Sequence, residues 1–280
     1  MNRIISCFSN CYGASGVRAA ASKIRDAGID HLELALRGHD FGGLVIPEEA
    51  VVTEKADDAT AGAFRDELAR LGVEVSGCNV GGGDMRTDEG TELTARRIRF
   101  AKKWFDVDVV VSGASQPATP EERRAVVENL RKVGDVAQIL GVVIALETHK
   151  GPTQNADEML TLMFEVHHPA VRLNYDTGNI LYYNPGADLH EQLDRVKEYV
   201  RNVHLKDSRG KPDDWYFPAV GDGGAIDFAR IRQQLDAVGF AGPYTIEIEG
   251  IAGEPEPGLD GRHDRVKRSV EHLRKCGYFD

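Results

Sequence analysis

The chain has 280 residues, with 45 acidic against 34 basic side chains and a net charge of −11. That balance disfavours a nucleic-acid phosphate backbone or an anionic membrane as partner, and nowhere do about 18 uncharged apolar residues run together as a membrane span requires. Four cysteines without a C-x-x-C pair, Cys7, Cys11, Cys78 and Cys276, read as buried thiols of a reducing compartment, and with an N-terminus lacking a signal-peptide pattern they predict a cytoplasmic protein.

Strands are predicted at 3–8, 30–35, 73–78, 107–112, 142–147, 171–176, 201–206 and 243–249. After the first, Gly13-Ala14-Ser15-Gly16 starts a helix without the G-x-G-x-x-G pattern of a dinucleotide site. Helices end at Gly28, Gly72, Gly141 and Gly239, each just before a β-branched run, as expected when Gly closes a helix in the left-handed conformation. Gly81-Gly82-Gly83 follows the third strand and reads as a flexible loop. Thr119-Pro120-Glu121-Glu122 carries an N-cap, Pro at N1 and a capping-box Glu, and Asn155 to Glu158 repeats the cap spacing. His167-His168 reads as a helix C-cap, and the stretch from Gly250 to Gly261 as a long loop. Eight βα units without a linker predict one domain over residues 1–280, a single (β/α)₈ TIM barrel with an eight-stranded parallel barrel and outer helices.

In such a barrel the active site lies at the C-terminal ends of the strands. Glu147 ends the fifth, Asp176 the sixth, His204 falls in the seventh and Glu247 in the eighth, at intervals of 29, 28 and 43 residues. Taken singly, each has an ordinary structural explanation: a solvated rim Glu, an Asx-turn Asp, a core His. Together they place like charges at one end of four adjacent strands, which repel one another unless a cation sits among them. Three carboxylates and one imidazole suit a divalent ion: Mn²⁺, Mg²⁺, Co²⁺ or Zn²⁺.

The strings Leu146-Glu147-Thr148-His149, Asp176-Thr177-Gly178-Asn179, His204-Leu205-Lys206-Asp207, Val220-Gly221-Asp222-Gly223 with Ile226-Asp227-Phe228, and Gly242-Pro243-Tyr244-Thr245-Ile246-Glu247 resemble the xylose-isomerase-like TIM-barrel superfamily. Within it they are nearest to ketose and L-ribulose-5-phosphate 3-epimerases. The resemblance implies that Glu147, Asp176, His204 and Glu247 ligate one metal, with manganese the first choice. Many relatives have His three residues after the Asp. Here that place is Asn179, a departure that argues against endonuclease-IV-like DNA repair, which needs a trinuclear cluster.

The resemblance predicts a metal-dependent sugar isomerase or epimerase working through a metal-stabilised cis-enediolate, with Glu147 and Glu247 as the catalytic proton carriers. Elimination from the same intermediate makes a lyase or dehydratase of a keto-sugar, cyclitol or keto-glycoside the alternative, and a non-catalytic sugar-binding barrel is a further one. Substrate contacts are expected from His149, Asn179 and Lys206, and also from Glu33, Asn79 and Arg209. Lys206 either steadies a ligand oxygen or neutralises carboxylates. Trp215, Tyr216 and Phe217 either wall the pocket or pack between subunits. The partner is a small carbohydrate, and the resemblance implies a homodimer or homotetramer, with loops at Phe41 to Thr53 and Lys211 to Val220 as surface for assembly.

Overall fold

The computed structural model describes residues 3–36 and 51–279. Within them, eight parallel strands close a barrel: β1 (Ile5–Phe8), β2 (His31–Ala35), β3 (Glu74–Asn79), β4 (Val109–Ser112), β5 (Val143–Glu147), β6 (Val171–Asp176) and β7 (Val200–Leu205). A short strand β8 (Tyr216–Phe217) lies outside the barrel, and β9 (Tyr244–Ile246) completes it, pairing with β7 on one side and with β1 on the other. The last strand, β10 (Gly250–Ile251), pairs antiparallel with β8 through Gly250↔Phe217 and Ile251↔Tyr216.

Parallel neighbours require crossovers, and helices supply them. They are α1 (Gly16–Lys23), α2 (Asp58–Leu71), α3 (Asp88–Phe105), α4 (Pro120–Ile139), α5 (Ala156–Val166), α6 (Asn179–Tyr183), α7 (Leu189–Val196), α8 (Phe228–Asp236) and α9 (Gly258–Lys275). In α4 the buried Val126, Leu130, Val133 and Ala137 recur at steps of three and four, one apolar stripe laid on the barrel.

The caps read from the sequence are present. Thr119 accepts from the Glu122 amide at 3.2 Å, and Glu122 reaches back to the Ala118 amide at 2.6 Å, one residue before the expected capping-box partner. Asn155 accepts from the Glu158 amide at 3.1 Å. Gly28, Gly72, Gly141 and Gly239 all have positive φ. His167 caps α5 in the left-handed region, and His168 Nε2 lies 3.2 Å from Asp135. Cys7, Cys11 and Cys78 are buried and Cys276 half-buried, all four as free thiols.

The predicted eighth strand, 243–249, is shorter in the structure: β9 stops at Ile246, although the Glu247 amide still donates to Leu205 at 3.1 Å. The stretch expected as a loop from Gly250 to Gly261 opens with β10 and ends inside α9, because two extended residues find partners in β8. The Gly81–Gly83 loop is pinned rather than free. Arg97, itself paired with Glu54 at 2.9 Å, donates to the Val80 carbonyl at 3.4 Å and to that of Gly81, and Asn79 accepts from the Gly81 amide at 3.1 Å. Of the two loops expected to serve assembly, residues 41–50 lie outside the described residues, and 211–220 carries β8 against β10.

Helix α9 packs on the 3₁₀ turn that follows β1, Ser9–Ser15. Arg262 donates to the Cys11 carbonyl at 3.2 Å, and the Tyr12 hydroxyl lies 2.9 Å from His263 Nδ1. This turn carries Asn10 to the C-terminal mouth of the barrel. Among the described residues, no helix is long and apolar enough to cross a membrane.

Candidate active site

Alternate residues of a strand face the same side, so steps of two climb the inside of the barrel. On β6, β7 and the segment continuing β9 they form three rows. The lowest holds Asn174, Asn202 and Thr245, the middle Asp176, His204 and Glu247, and the uppermost Lys206 and Glu249. Glu33 from β2 joins the lowest row and Glu147 from β5 the middle one. Register pairs Asn174 with Asn202 and Asp176 with His204, whereas the segment of β9 is staggered: His204 pairs with Thr245, and Glu247 lies two residues further on. Barrel interiors are ordinarily filled by branched aliphatics, whereas here the layer beneath the acids is polar.

The middle row converges. One ligand atom each from Glu147, Asp176, His204 and Glu247 lies within 4.8 Å of all the others. His204 Nδ1 is 3.0 Å from Glu247 Oε2, 3.7 Å from Glu147 Oε1 and 3.9 Å from Asp176 Oδ2. Three of the four side chains are aimed by a second polar atom. Asp176 Oδ1 accepts the amides of Gly178 and Asn179 at 2.9 and 2.8 Å, the Asx turn that its sequence context suggested, which turns Oδ2 inward. Glu247 Oε1 accepts from Asn10 Nδ2 at 3.1 Å. His204 Nε2 donates to Glu33, 3.0 Å from Oε2, and the imidazole stacks on Phe8 with centroids 5.8 Å apart. That bond commits Nε2–H and leaves Nδ1 toward the carboxylates. Among the described residues, Asp176 Oδ2, His204 Nδ1 and Glu247 Oε2 are buried without a hydrogen-bond partner. Three orphaned polar atoms from one nitrogen and two oxygen ligands, facing a common point with Glu147, fit a divalent cation.

The charges press on one another. Burial pushes Asp176 up to about 7, with Lys206 partly opposing. Burial pushes Glu249 to about 7 as well. It acts on Glu247 in the same direction, but Lys206 and His204 outweigh it and hold that carboxyl well below the ordinary range. Glu147 is likewise held low, its burial outweighed by the His204 imidazole. Burial alone lowers His204, yet the carboxylates of Glu33 and Glu247 raise it well above the usual imidazole value.

Above the row opens a cavity of about 850 Å³. Glu147 and Glu247 border it, whereas Asp176 and His204 are sealed beneath, each at 0% exposure. Of the expected substrate contacts, His149, Asn179, Lys206 and Asn79 also border it. His149 Nε2 lies 3.0 Å from the Tyr183 hydroxyl, and Asn179 Nδ2 donates to the Thr148 carbonyl at 3.0 Å.

Two expected contacts stand elsewhere. Glu33, expected to end its strand at the pocket, lies in mid-β2 one row lower, buried under His204 and accepting from Asn202 at 3.4 Å. Arg209, expected near a phosphate, is exposed, paired with Asp214 at 2.9 Å and stacked over Tyr216. Trp215 walls the cavity with Tyr182 and Tyr183 from α6, the ring centroids of Trp215 and Tyr182 being 5.8 Å apart. Asn10, Phe8, Tyr182 and Tyr183 were not read from the sequence. Phe8 ends β1 and Asn10 follows it by two residues, where strand position alone marks them. The tyrosines sit on a five-residue helix too short to show a period.

The glycine of Asp176-Thr177-Gly178-Asn179 has a steric role. A Cβ on Gly178 would lie 2.7 Å from Lys206 Cγ and 2.8 Å from Cδ, so only glycine lets the lysine stem pass to the cavity.

A sequence model described as xylose isomerase-like TIM barrel matches residues 21–276. An inosose dehydratase of Geobacillus thermodenitrificans is 27% identical over 273 residues, 90% of this chain and 82% of that one. An L-ribulose-5-phosphate 3-epimerase of Escherichia coli is 28% identical over 184 residues, 64% of this chain and 63% of its own length. Among solved structures, a xylose isomerase-like TIM barrel protein of Mycobacterium smegmatis in complex with magnesium superposes with a TM-score of 0.72 at 20% identity, covering 98% of this chain and 97% of that one.

Proposed function

This chain belongs to the xylose isomerase-like TIM barrel family, and from that premise we propose that it is a divalent-metal-dependent isomerase or epimerase of a ketose or sugar phosphate. One observation carries the reading: of the four convergent ligands, only Glu147 and Glu247 reach the cavity. Asp176 and His204 are placed to hold a metal and nothing more, while the two glutamates face a substrate as well.

A divalent ion held by the four side chains, with Mn²⁺ first and Co²⁺, Mg²⁺ or Zn²⁺ also suited, supplies Lewis acidity toward a ketone oxygen. The rest falls to the chain. One glutamate takes the proton from the carbon beside the ketone. The other, in its protonated form, returns a proton to the opposite face in an epimerase, or to the neighbouring carbon in an aldose–ketose isomerase. His149, Asn179, Asn79 and Lys206 are placed to orient hydroxyls, and Trp215, Tyr182 and Tyr183 present ring faces to the substrate's C–H surface.

A dehydratase is the second reading. The inosose dehydratase match spans 90% of this chain against 64% for the epimerase, and Lys206 and Glu249 border the cavity with groups able to carry a proton to a leaving hydroxyl. Incubation in D₂O with a panel of ketoses, sugar phosphates and inososes, followed by NMR, separates the two. An isomerase or epimerase introduces deuterium beside the carbonyl with every hydroxyl retained, and chelation stops it. Loss of a hydroxyl instead selects the dehydratase. Absence of exchange across the panel, in protein that also takes up no divalent ion, overturns both.

A further inference from the structure

We propose that Lys206 fills a second cation site beside the first, and that its ammonium holds the centre to a single metal ion. The inference rests on the reading of Glu147, Asp176, His204 and Glu247 as metal ligands. The ammonium sits in a cage of oxygens from four side chains: Nζ is 3.1 Å from Asp176 Oδ2, 3.2 Å from Glu247 Oε2, 3.2 Å from Glu249 Oε2 and 3.3 Å from Asn179 Oδ1. The side chain is 2% exposed, its stem threads past Gly178, and its charge lies 5.1 Å from the Phe217 ring centroid.

The character of these contacts is that of a cation site. Asn179 accepts a hydrogen bond from Nζ, and three carboxylate oxygens stand at ion-pair distance from the same ammonium. Asp176 and Glu247 are 0% and 3% exposed, so Lys206 and not water balances their charge. Oxygens gathered at short range around one buried positive charge are also what a hard metal ion requires. Three carboxylates and one amide oxygen make a donor set typical of Mn²⁺ or Mg²⁺.

Two of the oxygens, Asp176 Oδ2 and Glu247 Oε2, belong to both groups, since each also faces His204 Nδ1. With a neutral residue at 206, the same oxygens are positioned to bridge two ions. Lys206 thus supplies the second charge from within the chain and keeps the centre mononuclear.

The test counts ions. Wild-type protein, Lys206→Met, Lys206→Gln and the double variant Lys206→Met/Glu249→Leu are titrated with Mn²⁺ by calorimetry, metal per chain is measured, and paramagnetic resonance reports coupling between neighbouring Mn²⁺ ions. The expected result is one ion in wild type even at large excess. The two single variants take two ions with a coupled spectrum, and the double variant returns to one. A single variant that is folded by circular dichroism and still takes one ion overturns the proposal. So does wild type that takes two, a measurement that stands whether or not the variants fold. Wild type that takes none shows instead that the ligand assignment beneath the proposal is wrong.

Discussion

Four side chains hold one point, and two of them are assigned a second task, so substitution should divide them. Glu247→Gln keeps one oxygen for the ligand position but removes the base, and its new amide nitrogen faces Asn10, whose unpartnered Oδ1 can turn to accept it. It is expected to retain most of its metal while losing roughly 10²–10⁴-fold in turnover, the usual scale for general acid–base catalysis. His204→Ala removes the nitrogen ligand and is expected to lose metal and activity together. Metal content measured beside turnover for the two variants checks this, and near-normal turnover in metal-loaded Glu247→Gln would contradict the two-glutamate mechanism. These four residues were legible because each is a polar residue at or near the end of an apolar strand, the first two intervals being close to one βα unit and the third longer by the loop that carries β8. Glu33 shows where that reading stops. The parity of its strand says correctly that it faces inward, but not how deep in the barrel it lies, and depth decides whether a carboxylate meets a substrate or the back of an imidazole.

At the level of elements, the parts with a local chemical cause were readable. Thr119 with Glu122 starts α4 by satisfying amides that a helix leaves open, and glycine ends helices where the backbone must turn left-handed. Thr119→Ala should cost about 1 kcal/mol through the lost cap. For a chain of this size that corresponds to a fall of about 2–4 °C in melting temperature, read by calorimetry with metal content unchanged. The β8–β10 ribbon had no such cause. Two-residue strands show no periodicity, and each exists only because the other is brought beside it by the barrel between them. The same holds for α6, whose start is set by the Asx turn of Asp176 more than by its own composition.

For the whole molecule, the buried atoms of the centre left without a hydrogen bond among the described residues predict that a bound metal would add to the folded state's stability. Removing it with a chelator is expected to lower the melting temperature by several degrees. Saturation at a hundred times the dissociation constant stabilises by about 2.7 kcal/mol, and thermal melts with and without Mn²⁺ read the difference. Family membership further predicts a dimer or tetramer. Light scattering at micromolar concentration tests this, and a species of monomer mass alone would contradict it.

The stacking of inward-facing residues in steps of two also bears on how such a barrel diversifies over generations. Exchange of a side chain at 149 or 249 alters the mouth of the cavity and leaves the ligands where they are. Gain or loss of one residue between Thr245 and Glu247 does something else: it would swing Glu247 to the helix-facing side and point Ile246, on insertion, or Ile248, on deletion, at the ligand position. A change of substrate is therefore open to substitution near the opening, whereas a change of strand length there would remove a ligand.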